Sequence, residues 1–441
     1  MKKWRFFGGI HPAYSKEMSS GEATVEMPMP GELTVYLSQN LGAPSKPIVK
    51  KGDTVKKGQM IAEAGGFVSA PVHAPTSGTI KAVEKRPFPL GDDMDAVVIE
   101  PDGLDEWEEG RNVERPIEGL DAAAIKKLIH EGGIVGLGGA TFPTHVKLSP
   151  PEGKKIDLLI INGAECEPYL TADHRLMLER PRDIVEGAWL LAAAIGVERI
   201  VVAVEKNKPD AIAAMREAVK GRDGYVVADM DVIYPQGAEK QLIYAVSGRK
   251  VPAGGLPMDV GVLVQNVGTA AAAFEAVRFN RPLIGRIVTV TGSGVARPGN
   301  VLARVGTKFA DLIEFRGGCS GDTGKVINGG PMMGVAQPSL EAAMMKGTSG
   351  LVLLRRDEAG QYSGGPCIRC GRCVEACPMR LNPSAISIFA ERLRFEDASE
   401  FNVMDCIECG CCAYVCPSRR PMVHHFRRAK AEMRKAPKKA G

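Results

Sequence analysis

The sequence is poor in aromatic residues, which make up 5% of it. That excludes an aromatic platform for stacking nucleic-acid bases. It also lacks a charge of one sign: 56 basic residues face 52 acidic ones, a net charge of +4. Electrostatic binding of nucleic acid is therefore not its business. No apolar run reaches the roughly 18 residues that a membrane span requires. The longest candidate, 188–197, is about half that length. The opening MKKWRFFGGIHP has too few apolar residues for a signal peptide and runs into glycine and proline. Low complexity is absent too: 44% hydrophobic and 24% charged residues exclude a disordered or fibrous chain. These absences predict a soluble, cytosolic-type protein of 441 residues, enough for about three domains. Glycine (51) and proline (30) are plentiful, so turns and backbone-lined loops are expected.

The chain changes period along its length. Residues 1–112 read as short strands and turns, with Gly52-Asp-Thr-Val-Lys-Lys-Gly-Gln59 and Ala74-Pro-Thr-Ser-Gly-Thr-Ile80 as paired elements. These resemble the two halves of a lipoyl-type sandwich barrel. Carriers of that kind bear a lysine on the hairpin between the halves, but no lysine stands between Lys57 and Lys81. No prosthetic group is expected there. Residues 113–282 alternate strands and helices: a helix capped by Asp121, strand 156–161, a long helix from about 173 to 195, strand 200–204, helix 209–219 and strand 225–233. Such alternation implies a mostly parallel, Rossmann-like α/β sheet. Residues 283–352 return to short strands around a helix near 309–315, as in a β-grasp module. Residues 353–425 hold most of the cysteines. Residues 426–441 form a basic tail, with seven basic residues and one acidic between Arg427 and Lys439. It reads as a solvated tail.

Nine of the eleven cysteines lie between Cys367 and Cys416. Two runs share one spacing: Cys367, Cys370, Cys373 and Cys377 before Pro378, then Cys406, Cys409, Cys412 and Cys416 before Pro417. This is the bacterial ferredoxin run, in which the fourth cysteine ligates the other cluster. Two 4Fe–4S clusters follow, one on Cys367, Cys370, Cys373 and Cys416, the other on Cys377, Cys406, Cys409 and Cys412. Zinc sites use pairs of cysteines, not triplets with a distant fourth. Cys411, between two ligands, reads as structural; Cys166 and Cys319 read as free thiols. His11, His73, His424 and His425 lack partner ligands at metal spacing.

The loop Gly136-Leu-Gly-Gly-Ala-Thr-Phe-Pro-Thr-His-Val-Lys147 is by itself a weak signal. Three further segments strengthen it. Asn162-Gly-Ala-Glu-Cys-Glu-Pro168, Tyr234-Pro-Gln-Gly-Ala-Glu-Lys240 and Gln265-Asn-Val-Gly-Thr269 each follow an apolar run. Ligands of open α/β sheets bind at such carboxyl ends. Glycines let backbone N–H groups approach a phosphate, and Lys147 supplies positive charge.

These segments resemble the FMN- and NADH-binding elements of the flavoprotein subunit of respiratory complex I. More closely, and over essentially its full length, the chain resembles the C subunit family of the Rnf electron-transport complex. Gly8-Gly-Ile-His-Pro12 with Lys16, the barrel, the flavin fold, the β-grasp module and the two-cluster region match in order. The resemblance implies that Gly136, Gly138, Gly139, Lys147, Asn162, Tyr234, Gly237, Asn266 and Thr269 hold non-covalent FMN. It implies that Glu165, Glu167 and Glu239 help place NADH, with Phe142 stacking on the dinucleotide. Departures from the complex I pattern stand at Ala164, at Ala238 and near 249–252; Asn40 replaces the histidine usual in the Rnf family. The implied activity is NADH oxidation. Electrons would pass through FMN and both clusters to partner subunits, including an iron–sulfur subunit, and indirectly to ferredoxin. The setting would be an ion-translocating complex at the cytoplasmic face of the membrane. The alternatives are an electron-transfer adaptor without its own NADH site and a cobalamin-reductase-like flavo-iron–sulfur protein. No side chain is required as acid or base, because the cofactor carries the hydride chemistry.

Overall fold

A computed structural model describes residues 5–360 and 364–435. The segment expected as an α/β unit folds around four strands: β1 (Leu158–Gly163), β2 (Ile200–Glu205), β3 (Tyr225–Met230) and β4 (Val262–Asn266). Their order is β3-β2-β1-β4, and every pairing is parallel. β2 and β4 are buried along their whole length, which explains their near-continuous apolar sequence. The loops after β1, β3 and β4 therefore emerge on one edge of the sheet.

The long helix expected between about 173 and 195 is two: α1 (Ala172–Glu179) and α2 (Pro181–Ala193). Pro181 has no N–H to continue the first helix and instead starts the second at its first position. α2 crosses α3 (Val267–Phe279) at Gly187. A Cβ there would lie 1.8 Å from the Ala270 carbonyl oxygen. α3 is lined with alanines, so the two backbones approach closely.

The barrel consists of two small antiparallel sheets. One contains a hairpin of two 11-residue strands, Gly78–Phe88 and Gly91–Pro101, longer than the short strands expected. Residues 10–27 do not stay with the barrel. Ile10 bridges to Tyr234, and Val25–Glu26 pairs in parallel with Gly299–Arg304. That pairing makes Val25–Glu26 the edge of a six-stranded mixed sheet, the β-grasp module, whose strand Gly350–Arg355 runs past residue 352. The helix Phe309–Phe315 covers this sheet through Phe309, Leu312 and Ile313.

The basic tail differs from its expectation as far as Lys435; residues 436–441 lie outside the described residues. Residues Met422–Lys435 form a helix, α4, whose Phe426 and Ala429 are buried against Ile386, Ala390 and Val403. Its basic residues are not simply solvated: Lys430 is buried and bonds the Cys406 carbonyl and Glu408. The charges follow a helical period around an apolar stripe, and the stripe decides the outcome.

The close crossing at Gly187 generates a test. Gly187→Ala is expected to destabilise the chain by about 1–3 kcal/mol through overpacking. Urea denaturation followed by circular dichroism measures it.

Candidate functional site

The carboxyl edge of the parallel sheet gathers the flavin-type segments. Asn162, at the end of β1, donates from Nδ2 to the Gly237 carbonyl at 2.8 Å. Asn266, at the end of β4, donates to the Asn162 carbonyl at 3.4 Å and to Asp173 at 2.6 Å, while its Oδ1 caps α3 on the Gly268 N–H. Burial and the neighbouring Glu165 push the Asp173 carboxyl up to about 7. Thr269 accepts from the Leu137 N–H at 2.9 Å, tying the glycine loop to the first turn of α3. The loop itself closes with Gly136 N–H on the Phe142 carbonyl. Gly138, Gly139 and Ala140 are exposed, with Gly139 at φ +117°, a conformation that favours glycine. Lys147 reaches Glu239 and the Val264 carbonyl. The sequence-proposed glycines, Lys147, Asn162, Gly237, Glu239, Asn266 and Thr269 thus stand around one exposed loop.

Two of the three glutamates have other work. Glu165 accepts from the Asp173 and His174 N–H groups, capping the first turn of α1. Glu167 accepts from the Met332 and Met333 N–H groups of the β-grasp module. Burial pushes its carboxyl up to about 7. Both carboxylates, expected at the dinucleotide, are engaged by protein donors.

Sequence reasoning missed what holds the 164–170 loop. The Lys16 ammonium is buried and donates to the carbonyls of Glu165 (2.8 Å), Glu167 (2.9 Å) and Leu170 (2.5 Å). Burial pushes its pKa down, and Glu165 pulls it back up. Lys208, fully buried, holds the Ala164 carbonyl and pairs with Glu205. Carbonyl oxygens carry no side-chain signature, so no motif announces these contacts.

Tyr234 joins this site to the cysteines. Its hydroxyl donates to the Cys409 carbonyl at 2.8 Å and lies 3.3 Å from Glu167. The Tyr234 carbonyl accepts from Ile10, and the Cys411 thiol lies 3.8 Å from it. Cys411, read as structural, is buried here, as is Cys166, whose sulfur accepts the Gly237 N–H.

The two cysteine runs repeat one backbone. Arg369, Gly371 and Arg380 have φ +58°, +79° and +57°; Glu408, Gly410 and Arg419 have +56°, +80° and +48°. Cys377 joins Cys406, Cys409 and Cys412 around one pocket, so the fourth cysteine of the first run faces the second run. Cys373 and Cys416 share one apolar core with α4, while Cys370 is exposed. Burial pushes the Cys406 thiol up to about 11. A bound cation is what turns such thiols into thiolates. The repeated cradle and the crossing of Cys377 fit a pair of clusters. The exposed glycine loop against the start of α3 fits a flavin phosphate.

Comparison with known proteins agrees with this geometry. Residues 4–104 match the family described as RnfC barrel sandwich hybrid domain. Residues 129–275 match the Nuo51 FMN-binding domain, 287–336 the SLBB domain and 366–419 the 4Fe–4S dicluster domain. The chain is 48% identical to the C subunit of the proton-translocating ferredoxin:NAD(+) oxidoreductase complex of Clostridium ljungdahlii, covering 88% of this chain and 84% of that one. It is 47% identical to the C subunit of the Na(+)-translocating ferredoxin:NAD(+) oxidoreductase complex of Acetobacterium woodii, over 89% and 88% of the two chains. The chain belongs to the Rnf complex C-subunit family. A third member, the C subunit of the ion-translocating oxidoreductase complex of Rhodobacter capsulatus, is 43% identical over 85% of this chain and 73% of its own. As a member of the Rnf C-subunit family, the chain combines barrel-sandwich, FMN-binding, β-grasp and two-cluster ferredoxin domains, with FMN and 4Fe–4S clusters as cofactors. No described helix is long and apolar enough to cross a membrane.

The Lys16 contacts generate a test. Lys16→Met removes three charge-assisted hydrogen bonds and frees the 164–170 loop. The variant is expected to lose most of its flavin on gel filtration while keeping its iron. Flavin-to-iron ratios measure it.

Proposed function

We propose that the chain is the NADH-oxidising subunit of a membrane Rnf-type complex. In this reading it takes electrons from NADH at the flavin site and delivers them through two clusters to partner subunits and ultimately ferredoxin, reversibly. It sits peripherally on the cytoplasmic face. The names of its relatives support the complex, the ferredoxin and the NAD.

FMN, when bound, supplies the conversion between a two-electron hydride donor and one-electron carriers. The chain's residues do the rest. Gly136 closes the loop on Phe142, and the N–H groups of Gly138 and Gly139, the start of α3 and Lys147 bind the phosphate end. Asn162, Gly237, Asn266 and Thr269 shape the cradle, with Tyr234 closing its floor. Phe142 offers a ring to the dinucleotide, and Glu239, half-buried and paired with Lys147, is the acid assigned to orient it. Glu165 and Glu167 act from behind, fixing the loop through α1 and the β-grasp module. Cys367, Cys370, Cys373 and Cys416 hold one cluster; Cys377, Cys406, Cys409 and Cys412 hold the other.

The observation that carries this reading is the hydrogen bond from Tyr234 to Cys409. A flavin-side residue and a cluster-side residue share a contact, with no solvent layer between them. The engaged carboxylates of Glu165 and Glu167 favour a second reading, an adaptor that takes electrons from a protein donor.

Cys377→Ala separates the steps. Its NADH oxidation with ferricyanide, which accepts directly from flavin, is expected to persist within about twofold. Delivery of electrons to clusters is expected to fall at least tenfold, read as bleaching of cluster absorbance after NADH. A parent chain without NADH–ferricyanide turnover contradicts the reading and favours the adaptor.

A further inference from the structure

The barrel carries an exposed aromatic ring where carrier barrels bear their lysine. Phe67 stands on the hairpin that joins Met60–Glu63 to Val72–His73 and is 69% exposed. Its backbone is not loose. Ser69 Oγ donates to the Ala43 carbonyl and accepts the Gly65 N–H. The Ala43 N–H bonds the Val68 carbonyl, and Gly42 packs so closely on Val68 that a Cβ would lie 2.1 Å from its oxygen. Asn40 completes the lacing: its Oδ1 accepts the Ala70 N–H and its Nδ2 bonds the Leu41 carbonyl.

This rigid tip is pinned to the flavin fold, beside the exposed glycine loop. His145 Nε2 donates to the Phe67 carbonyl at 3.1 Å, and the two rings meet edge to face with centroids 6.0 Å apart. Leu41, 59% exposed, bonds through its N–H to the Thr141 carbonyl at 3.2 Å. Thr141 precedes Phe142. Leu41 and Phe67 of the barrel therefore meet the glycine loop on either side of Phe142, at Thr141 and at His145. Isolated exposed apolar residues need no explanation, but two on laced loops at a ligand site do. A flat ring on a backbone laced in this way, with its edge contact to His145, suits the face of a planar base.

We infer that Phe67, with Leu41, forms the barrel's share of the dinucleotide site and takes the adenine end of NADH. The barrel thereby contributes a binding residue where a carrier would attach its prosthetic group. This rests on the reading that NADH is the donor.

Steady-state NADH–ferricyanide assays on the full, flavin-loaded chain test it, with reduced nicotinamide mononucleotide as the probe that lacks adenine. Phe67→Ala is expected to raise KM for NADH about tenfold, the worth of one base–aromatic stack. KM for the mononucleotide is expected to move far less, and the flavin content to hold. Phe67→Trp is expected to restore the parent KM for NADH. An unchanged KM for NADH in Phe67→Ala overturns the assignment alone, even if binding to other subunits weakens. So does an equal rise for both donors. A parent chain whose flavin ignores NADH overturns both this inference and the reading beneath it.

Discussion

Lys16 places its ammonium on the carbonyls of Glu165, Glu167 and Leu170, with the Glu165 carboxylate 4.0 Å away. The same device recurs across the molecule. Lys208 holds the Ala164 carbonyl. Lys346, fully buried, joins Pro71 of the barrel to Gly133 of the flavin fold, and burial pushes its pKa down to about 7. Arg286 bonds the carbonyls of Lys346 and Leu137, the latter inside the glycine loop. Lys430 bonds the Cys406 carbonyl. A buried cation costs desolvation, and several carbonyl dipoles around it offset that cost. Because the carbonyls of Ala164, Glu165, Glu167 and Leu170 are drawn onto two lysines, those contacts set the loop's conformation.

The proposed site draws on every module. The sheet supplies the ends of β1, β3 and β4. The N-terminal segment supplies Lys16 and the Ile10 pairing with Tyr234. The β-grasp module supplies the Met332 and Met333 N–H groups that hold Glu167. The cysteine region supplies the carbonyl that Tyr234 bonds. The barrel, free of a carrier lysine, reaches the glycine loop through Phe67 and Leu41. Rigid-body freedom between these parts would disrupt the cradle.

What the sequence disclosed follows from what side chains record. The cysteine spacing is written in residue identity, and the repeated left-handed positions at Glu408 and Arg369 match its symmetry. The parallel sheet is written in apolar runs. By contrast, the grip of Lys16 on carbonyls about 150 residues away leaves no trace, since any residue offers a carbonyl. The break between α1 and α2 was signalled by Pro181, but an apolar pattern continuous across it concealed the break. The α4 helix was masked by its charge count, which outweighs a narrow stripe of Phe426 and Ala429. Asn40 gained its meaning only when the hairpin at Ala70 was placed beside it.

The central claim is that the flavin loops and the cysteine cradle form one electron path, joined at Tyr234 and fed by NADH. Anaerobic titration of the purified chain with NADH, followed by absorbance, tests it most directly. The account predicts that flavin absorbance bleaches first and cluster absorbance follows in the same titration. Flavin and clusters that ignore NADH, yet bleach with dithionite, would contradict it.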